Sequence, residues 1–548
     1  MDVFAGSRIK QLPNKLLNFF LIFSFSFLIT KSLAAETPPS SESTPGLTEE
    51  FRVNFFKHLD QQAPGIWQRL SENLNQYGQF ALEYIFNLVL EKISHENLNF
   101  KKPHALYCGQ THFEYQEIFK QLAKNPEQDP TNYKIERENK FCLTTSNAYF
   151  PQADISASTN QDFFNSNNNV AIHYYEGRLF IAIRTAPIHY PTPVTELRIY
   201  STQDGEVWTH EYTIDNYNTS LDFREPFFIE DKGLLYFYYM TLDGRTPETF
   251  LPQATYYMTR SAKGLWTHSD RNRAVLGKNM VPWNIVKRAG YFWMSAYQTN
   301  GFTFDSLSDL AGSQERSRNY LFRSKTPDGF ALQQFNPNAL IYSGGVSEMA
   351  FEIDQQENFW LLGRNDLGDQ RGYGTVVGRT PLKTVYQTAA HAFKPKANPK
   401  LISSPRMFEH NGEMYVIGRR TLNLIPYGDI SFLTDPGTIK KVLEKIDPEQ
   451  KYKGVVTFLY IWLRNFISPQ TTALYRINRN TQDIEFIVDL PGAGDTAFAS
   501  IVRLGRNKFL IANYTSPLNQ HHISWEKGKR GSTQIYLQTI EFKEINQH

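Results

Sequence analysis

Two cysteines in 548 residues, Cys108 and Cys142, are too few for a disulfide-built scaffold and too few for a zinc site of the usual four-ligand kind. If the pair is oxidised, the loop it closes stabilises the fold by about 4 kcal/mol in the chain-entropy model; the alternative is two buried thiols. Charge of one sign is also missing, with 57 Lys and Arg against 55 Asp and Glu, so nothing argues for nucleic acid as a partner. The apolar stretches Leu16–Ile29 and Gly454–Phe466 are too short to span a bilayer. No phosphate-cradling glycine loop, zinc motif or nucleophile elbow is evident, and no cofactor or metal is expected. What the chain has in plenty is aromatic side chains, 30 Tyr and 41 Phe, which favour strands.

The first 35 residues have the order of a secretory signal peptide. Arg8, Lys10 and Lys15 precede the apolar run Leu16–Ile29, and Ser32, Ala34 and Ala35 follow it. Cleavage after Ala34 or Ala35 removes four bases and one acid and turns the formal charge of +2 into −1. The expected location is therefore the periplasm, cell envelope or exterior. Residues 36–100 read as a polar linker followed by amphipathic helices, with Phe55, Leu59, Ile66, Leu70 and Leu74 at helical spacing. Residues 101–164 form a connecting segment that carries both cysteines and a strand expected to close the propeller described next.

From 165 to 548 one pattern recurs. An apolar strand runs into a tight turn, usually with Gly, and a strand rich in aromatic and β-branched residues follows, as in VAIHYYEGRLFIAIRT (170–185) and SPRMFEHNGEMYVIGR (404–419). Turn centres fall near 177, 233, 290, 356, 412 and 505, which gives intervals of 56, 57, 66, 56 and 93 residues. Units of that length cannot bury both faces alone, and stacking around an axis solves the problem. The expected fold is mainly β: a six-bladed β-propeller with four-stranded blades starting near 170, 225, 281, 347, 404 and 495. An N-terminal α-helical segment and a helical insertion in blade five (436–470) complete it. The helical segments are the expected elements for any peripheral membrane or protein contact. Outer turns such as Thr202-x-Asp204-Gly205-x-x-Trp208 approximate an Asp-box, in which an Asp side chain pins the turn and a Trp anchors it.

Ring symmetry then selects candidate site residues. Positions seven residues past each turn are Arg184, Met240, Tyr297, Arg364, Arg419 and Tyr514, and the inner-strand starts are Asn169, Glu225, Pro282-Trp283, Glu348, Ser404 and Asp495. These open on one face around the axis. Arginine forks grip carboxylates or sugar hydroxyls, and paired acids move protons at a glycosidic bond.

The segment SEMAFEIDQQENFWLLGRND (347–366) resembles the sialidase superfamily, and the likeness extends over roughly 165–545. The resemblance implies that Glu348 matches the acid that polarises the catalytic Tyr. It implies that Arg364 matches one member of the substrate-gripping arginine triad, with Arg419 or Arg420 as another. Departures are plain. Asn168-Asn169-Val170 stands where the family has Arg-Ile-Pro, His189 and Tyr190 occupy the loop of the general acid, and Phe498 replaces the nucleophilic Tyr. The chain looks like a separate branch with a degenerate catalytic set, including REP (224–226), GRR (418–420) and GDT (494–496).

Two expectations follow. The first is a divergent glycoside hydrolase acting on acidic or richly hydroxylated glycans through a central pocket. Glu348 and Asp495 would be its acid/base pair and Glu225 an alternate. Arg184, Arg364, Arg419, Arg420, Arg224, His189 and Tyr514 would bind substrate, and Trp283 or Tyr297 would stack on it. The second is a propeller that binds a carbohydrate or small anionic ligand without turnover.

Overall fold

The computed structural model describes residues 107–124, 141–215, 219–245, 250–268, 274–298, 317–333, 339–369, 372–387, 395–398, 400–422, 469–520 and 523–544. The expected signal peptide, the helical segment 36–100 and residues 436–468 of the expected insertion lie outside these. Within them the chain is a six-bladed β-propeller.

Blade one consists of Ser166–Tyr175, Arg178–Ala186, Glu196–Thr202 and Thr209–Ile214, each strand antiparallel to the next. Blades two to five repeat the order with inner strands Leu221–Asp231, Met280–Arg288, Met349–Ile353 and Ser403–His410. Blade six is built from both ends of the described chain. Ser500–Arg503, Lys508–Thr515 and Gln534–Glu544 are joined by Phe141–Tyr149, and Tyr107–Gln110 adds a fifth, parallel strand. The ring is thus closed by a strand from before residue 165, which pairs with Gln534–Glu544 over nine positions. A Cys108–Cys142 disulfide, Cα to Cα 5.6 Å, clips the fifth strand to the fourth.

The repeat has a local cause. In blades one, two, three and five the first hairpin turns through Glu176-Gly177, Lys232-Gly233, Ala289-Gly290 and Asn411-Gly412, with both residues at positive φ in every case. That is the mirror-image two-residue turn whose twist matches the flanking strands. The outer turn of blade one is pinned as its sequence suggests. Asp204 Oδ1 accepts from the amides of Glu206 and Val207 at 2.9 Å, and the buried Trp208 donates to Gly205 O.

Each blade buries its faces against its neighbours, which yields one apolar cluster per interface. Phe180, Phe228 and Phe237 lie between blades one and two; Trp360, Val377, Met407 and Met414 lie between four and five. The cluster between blades six and one is larger, because Ile118 and Leu122 of the helix Tyr115–Lys124 and Ile155 of the helix Gln152–Thr159 pack onto it. Among the described residues no helix is long and apolar enough to cross a membrane.

Candidate functional site

The starts of the inner strands are where the backbone departs from regular pairing. The strand ladder slips between Asn168 and Ala171 in blade one, between Arg224 and Phe227 in blade two, and between Ser403 and Arg406 in blade five. In each bulge a non-glycine residue sits at positive φ: Asn169 at 45°, Glu225 at 51° and Ser404 at 49°. Holding an L-residue there costs on the order of 1–2 kcal/mol, and such strain gathers at functional positions. In blade six the residue at positive φ is Ala497 (67°), two places beyond Asp495. Asp495 therefore sits upstream of the position that Glu225 occupies, a register difference the hairpin count does not reveal.

Two Gly-Arg pairs set the arginines of blades four and five. A Cβ on Gly363 would lie 2.6 Å from Val346 Cγ1, and one on Gly418 would lie 2.3 Å from Ile402 Cγ2. Glycine lets the second strand approach the residues leading into the inner strand, and the arginine after it is delivered to the opening.

On the side of blades one, two and six, every acid is crowded with donors. Asp222 accepts from Arg184 Nε (3.1 Å) and Nη2 (2.6 Å), from Arg224 Nε (3.1 Å) and from the Thr192 amide (3.0 Å). Burial pushes its carboxyl up, but Arg184 and Arg224 pull it below the usual range. The two guanidiniums in turn hold the loop after blade one's second strand. Arg184 donates to the carbonyls of Ile188 and Tyr190 at 3.4 Å, and Arg224 to that of His189. His189 Nδ1 lies 2.6 Å from Asp495 Oδ2, while Tyr514 OH and Trp525 Nε1 each donate to Asp495 Oδ1 at 3.0 Å. Burial raises the Asp495 carboxyl, and His189, Arg419 and Tyr514 more than offset it, so the net shift is downward. His189 is lowered to about 4 by burial, with Asp495 opposing and Arg224 and Arg184 reinforcing the shift.

The side of blades two to five is different. Glu348 Oε1 accepts from Arg364 Nη1 at 2.8 Å and its Oε2 from the Ser404 amide at 2.6 Å; Arg364 Nη2 also meets Asp366 at 2.7 Å. Among the described residues Glu225 has no arginine partner. Its Oε1 accepts from Asn169 Nδ2 at 3.2 Å, and its Oε2 is buried without a partner. Burial lifts it to about 8, against the pull of Arg406 and Arg224. Arg406 is held between the rings of Trp283 (4.5 Å) and Phe498 (4.4 Å), donates from Nη1 to Trp283 O, and leaves Nη2 buried and unpartnered. Burial lowers it to about 10. Asn169 Oδ1 and Arg364 Nε are also buried without partners.

The structure thus brings Arg184, Arg224, His189, Asp495 and Tyr514 into one hydrogen-bonded network. Tyr297 is buried, its hydroxyl held well above its ordinary range by burial and by the charges of Glu348 and Glu225. Arg419 is stacked 4.6 Å over Trp525, with Nε on Thr496 O at 2.7 Å and Nη2 on Ser404 Oγ at 3.3 Å. Three candidates cannot meet a ligand as the sequence suggests. Arg420 points away from Arg419 along the strand and pairs with Asp489 on the outer strand at 2.5 Å. Trp283 is buried as the platform for Arg406, and its Nε1 donates to Pro405 O at 3.1 Å. Tyr514 is buried with its hydroxyl on Asp495. Sequence reasoning missed Asp222, although the run Asp222-x-Arg224-Glu225 places an acid where two buried arginines need one. It also missed Arg406, whose place after a bulge residue and a proline was the available signal. Among the described residues no His, Cys, Asp and Glu group is placed to hold a metal ion.

No protein-family model matches the chain, and no curated protein matches it. Solved structures do. A protein of unknown function from Dyadobacter fermentans is 12% identical with a TM-score of 0.44, over 70% of this chain and 97% of that one. Penicillium chrysogenum α-L-arabinanase is 9% identical with a TM-score of 0.38, over 71% of this chain and 97% of that one. Trypanosoma rangeli sialidase bound to the inhibitor DANA is 12% identical with a TM-score of 0.41, over 75% of this chain and only 58% of that one.

Proposed function

We propose that the protein is an exported glycoside hydrolase that takes a glycan end at the centre of the propeller. The observation that carries this reading is that four of the buried polar atoms without a partner among the described residues, Asn169 Oδ1, Glu225 Oε2, Arg364 Nε and Arg406 Nη2, belong to residues at or beside the starts of the inner strands. Native proteins rarely leave such atoms unsatisfied, because each costs about 1–3 kcal/mol. Grouped donors and acceptors of this kind suit the hydroxyls of a sugar. Two carboxyls of unlike character accompany them. Glu225, lifted to about 8, is protonated at neutral pH and fit to donate to a leaving glycosidic oxygen. Glu348, ion-paired with Arg364, supplies negative charge for the positive charge that develops at the anomeric carbon. Asp495 is removed from the acid/base pair by its three side-chain donors and its lowered carboxyl. The disulfide Cys108–Cys142 supports export to an oxidising compartment.

Binding without turnover is the second reading, and it is favoured by the engagement of both Glu348 oxygens. One experiment separates the two. The protein lacking residues 1–35 is screened against aryl glycosides and natural glycans, with Glu225→Gln alongside. The hydrolase reading expects turnover that falls about 10²–10⁴-fold in Glu225→Gln. Its rate should decline above pH 8 as Glu225 loses its proton. Saturable binding with no product on any glycan establishes the second reading, and neither binding nor product ends both.

A further inference from the structure

Among all the side chains of the site, one imidazole is held more elaborately than any packing role requires. His189 sits on the loop whose carbonyls at 188, 189 and 190 are gripped by Arg184 and Arg224, themselves locked by Asp222. Its backbone amide donates to Lys529 O at 3.0 Å, which ties the loop to the helix Trp525–Arg530 of blade six. Gly528 of that helix packs so close that a Cβ would lie 2.2 Å from the Asp495 amide. The ring itself is aimed by Asp495, whose other oxygen is fixed by Tyr514 and Trp525.

At 2.6 Å from a carboxylate oxygen, Nδ1 must carry the proton and donate it. The 3.4 Å approach of Asn168 Nδ2 to the same nitrogen is then a contact and not a hydrogen bond. The tautomer is thereby set, and Nε2 keeps its lone pair. Nε2 has no protein partner among the described residues, and the side chain is 15% accessible. The loop and the acid share their supports: Asn169 donates to Glu225, and Arg224, next to Glu225, donates to the His189 carbonyl.

We propose that His189 is the general base of the site, with Nε2 taking a proton from the attacking water and Asp495 acting as its positioning residue. This rests on the hydrolase reading above. The water oxygen bonds to the anomeric carbon and gives its proton to Nε2. The glycosidic C–O bond breaks toward the leaving oxygen, which takes the proton of Glu225. His189 ends protonated, Glu225 ends ionised, and solvent returns the proton from one to the other. Such an Asp–His pair raises the basicity of Nε2 in the transition state while the fixed ring removes the cost of orienting it. The charged and titratable groups that face the imidazole are Asp495, Arg184 and Arg224, with the Tyr514 ring 6.3 Å away. The two arginines and burial keep the ring neutral down to about pH 4.

The test uses the protein from residue 36 onward and the best aryl glycoside from the panel. His189→Ala should lower kcat at least 100-fold with KM little changed, and added imidazole should restore part of it, as a purely structural histidine would not allow. Asp495→Asn should lower kcat and leave the His189 ring free to change tautomer. Long-range ¹H–¹⁵N spectra, with His189→Ala to assign the signal, should show the Nδ1–H tautomer and no titration near pH 6.5. Activity retained in His189→Ala while Glu225→Gln is inactive overturns the base assignment and leaves the hydrolase reading intact. An Nε2–H tautomer, or an inactive His189→Ala that imidazole does not rescue in a folded protein, overturns it as well. Absence of turnover in the unmodified protein on every glycan overturns both.

Discussion

The two sides of the propeller mouth are built from the same ring positions and end in opposite states. Around blades one, two and six, Asp222 and Asp495 receive five and three side-chain or backbone donors, and Arg184 has all its nitrogens engaged. Glu225 of blade two, Arg364 of blade four and Arg406 of blade five, with Asn169 of blade one against Glu225, each retain a buried atom with no partner among the described residues. A completed polar network specifies one conformation, and an incomplete one is where a native protein waits for a ligand or ordered water. Symmetry alone therefore does not pick out the arginines free to bind: of Arg184 and Arg364, only Arg364 keeps such an atom. Arg184 is a scaffold element, and the blade-five contact falls to Arg406.

The crowded side should suffer most from Asp222→Ala. That change leaves Arg184 and Arg224 buried without their shared acid, and losses of about 3–5 kcal/mol are typical of such a change. Urea unfolding should show that loss at pH 7. The Asp222 carboxyl is depressed in the fold, so its contribution is present above the ordinary aspartate range and fades as pH falls through the lower folded value. A loss under 1 kcal/mol would mean that the crowded side is not a scaffold.

Glu225→Gln probes the open side by stability alone, apart from any activity. The folded carboxyl, at about 8, binds a proton that the unfolded chain releases near the ordinary glutamate value of 4.5. Between these two values the folded state holds more protons, so stability falls as pH rises, and above 8 the loss is complete. Gln carries no such penalty. The variant should match the parent at pH 4 and exceed it at pH 9 by no more than about 5 kcal/mol. Equal pH profiles for the two proteins would show that Glu225 is not held protonated.

The repeat is legible in the amino-acid sequence because its causes are local. Four X-Gly turns at positive φ, and aromatic strands between them, fix hairpins at constant spacing, and six hairpins need a ring. Glu348 and Arg364 are legible for the same reason, since they flank one hairpin and meet at 2.8 Å. Contacts made across blades are not legible. Asp222 joins Arg184 across 38 residues, and Asp495 joins His189 across 306, so no local pattern reports them. The bulges are hidden too: a one-residue slip at Glu225, Ser404 and Ala497 changes which side chain faces the mouth without altering the apolar alternation around it.

A smaller effect is expected at Arg420, which separates the mouth from its rim. Its ion pair with Asp489 is on the outer strand, where the aspartate is 44% exposed, and such pairs contribute about 0–1 kcal/mol. Arg420→Ala should therefore cost no more than that in thermal or urea unfolding and leave ligand binding unchanged. A strong binding defect would return Arg420 to the site and blur the division between the sides.

The smallest stability change belongs to Tyr297→Phe, and it tests the open side beside Glu348 and Glu225. The tyrosine ring is packed against Trp283 with centroids 6.4 Å apart, and the phenylalanine ring would keep that packing. Its hydroxyl makes no hydrogen bond to a described protein group, so its removal abandons no partner and exposes no new surface. Unfolding should shift by no more than about 0.5 kcal/mol, the range of substitutions that disturb no packing or bonding. Function should move much more. The hydroxyl stays protonated under the combined influence of burial, Glu348 and Glu225, so it is a donor within electrostatic reach of both acids. A hydrogen bond to a ligand hydroxyl there is worth roughly 0.5–1.5 kcal/mol, or about 3–10-fold in affinity for the glycan that binds best. Calorimetric titration of the parent and of Tyr297→Phe reads that ratio directly. A weaker ligand with unchanged stability identifies the open side as the ligand's side. Unchanged affinity together with a stability loss above 1 kcal/mol would show that Tyr297 is completed by the protein, and the contrast between the two sides of the mouth would fail there.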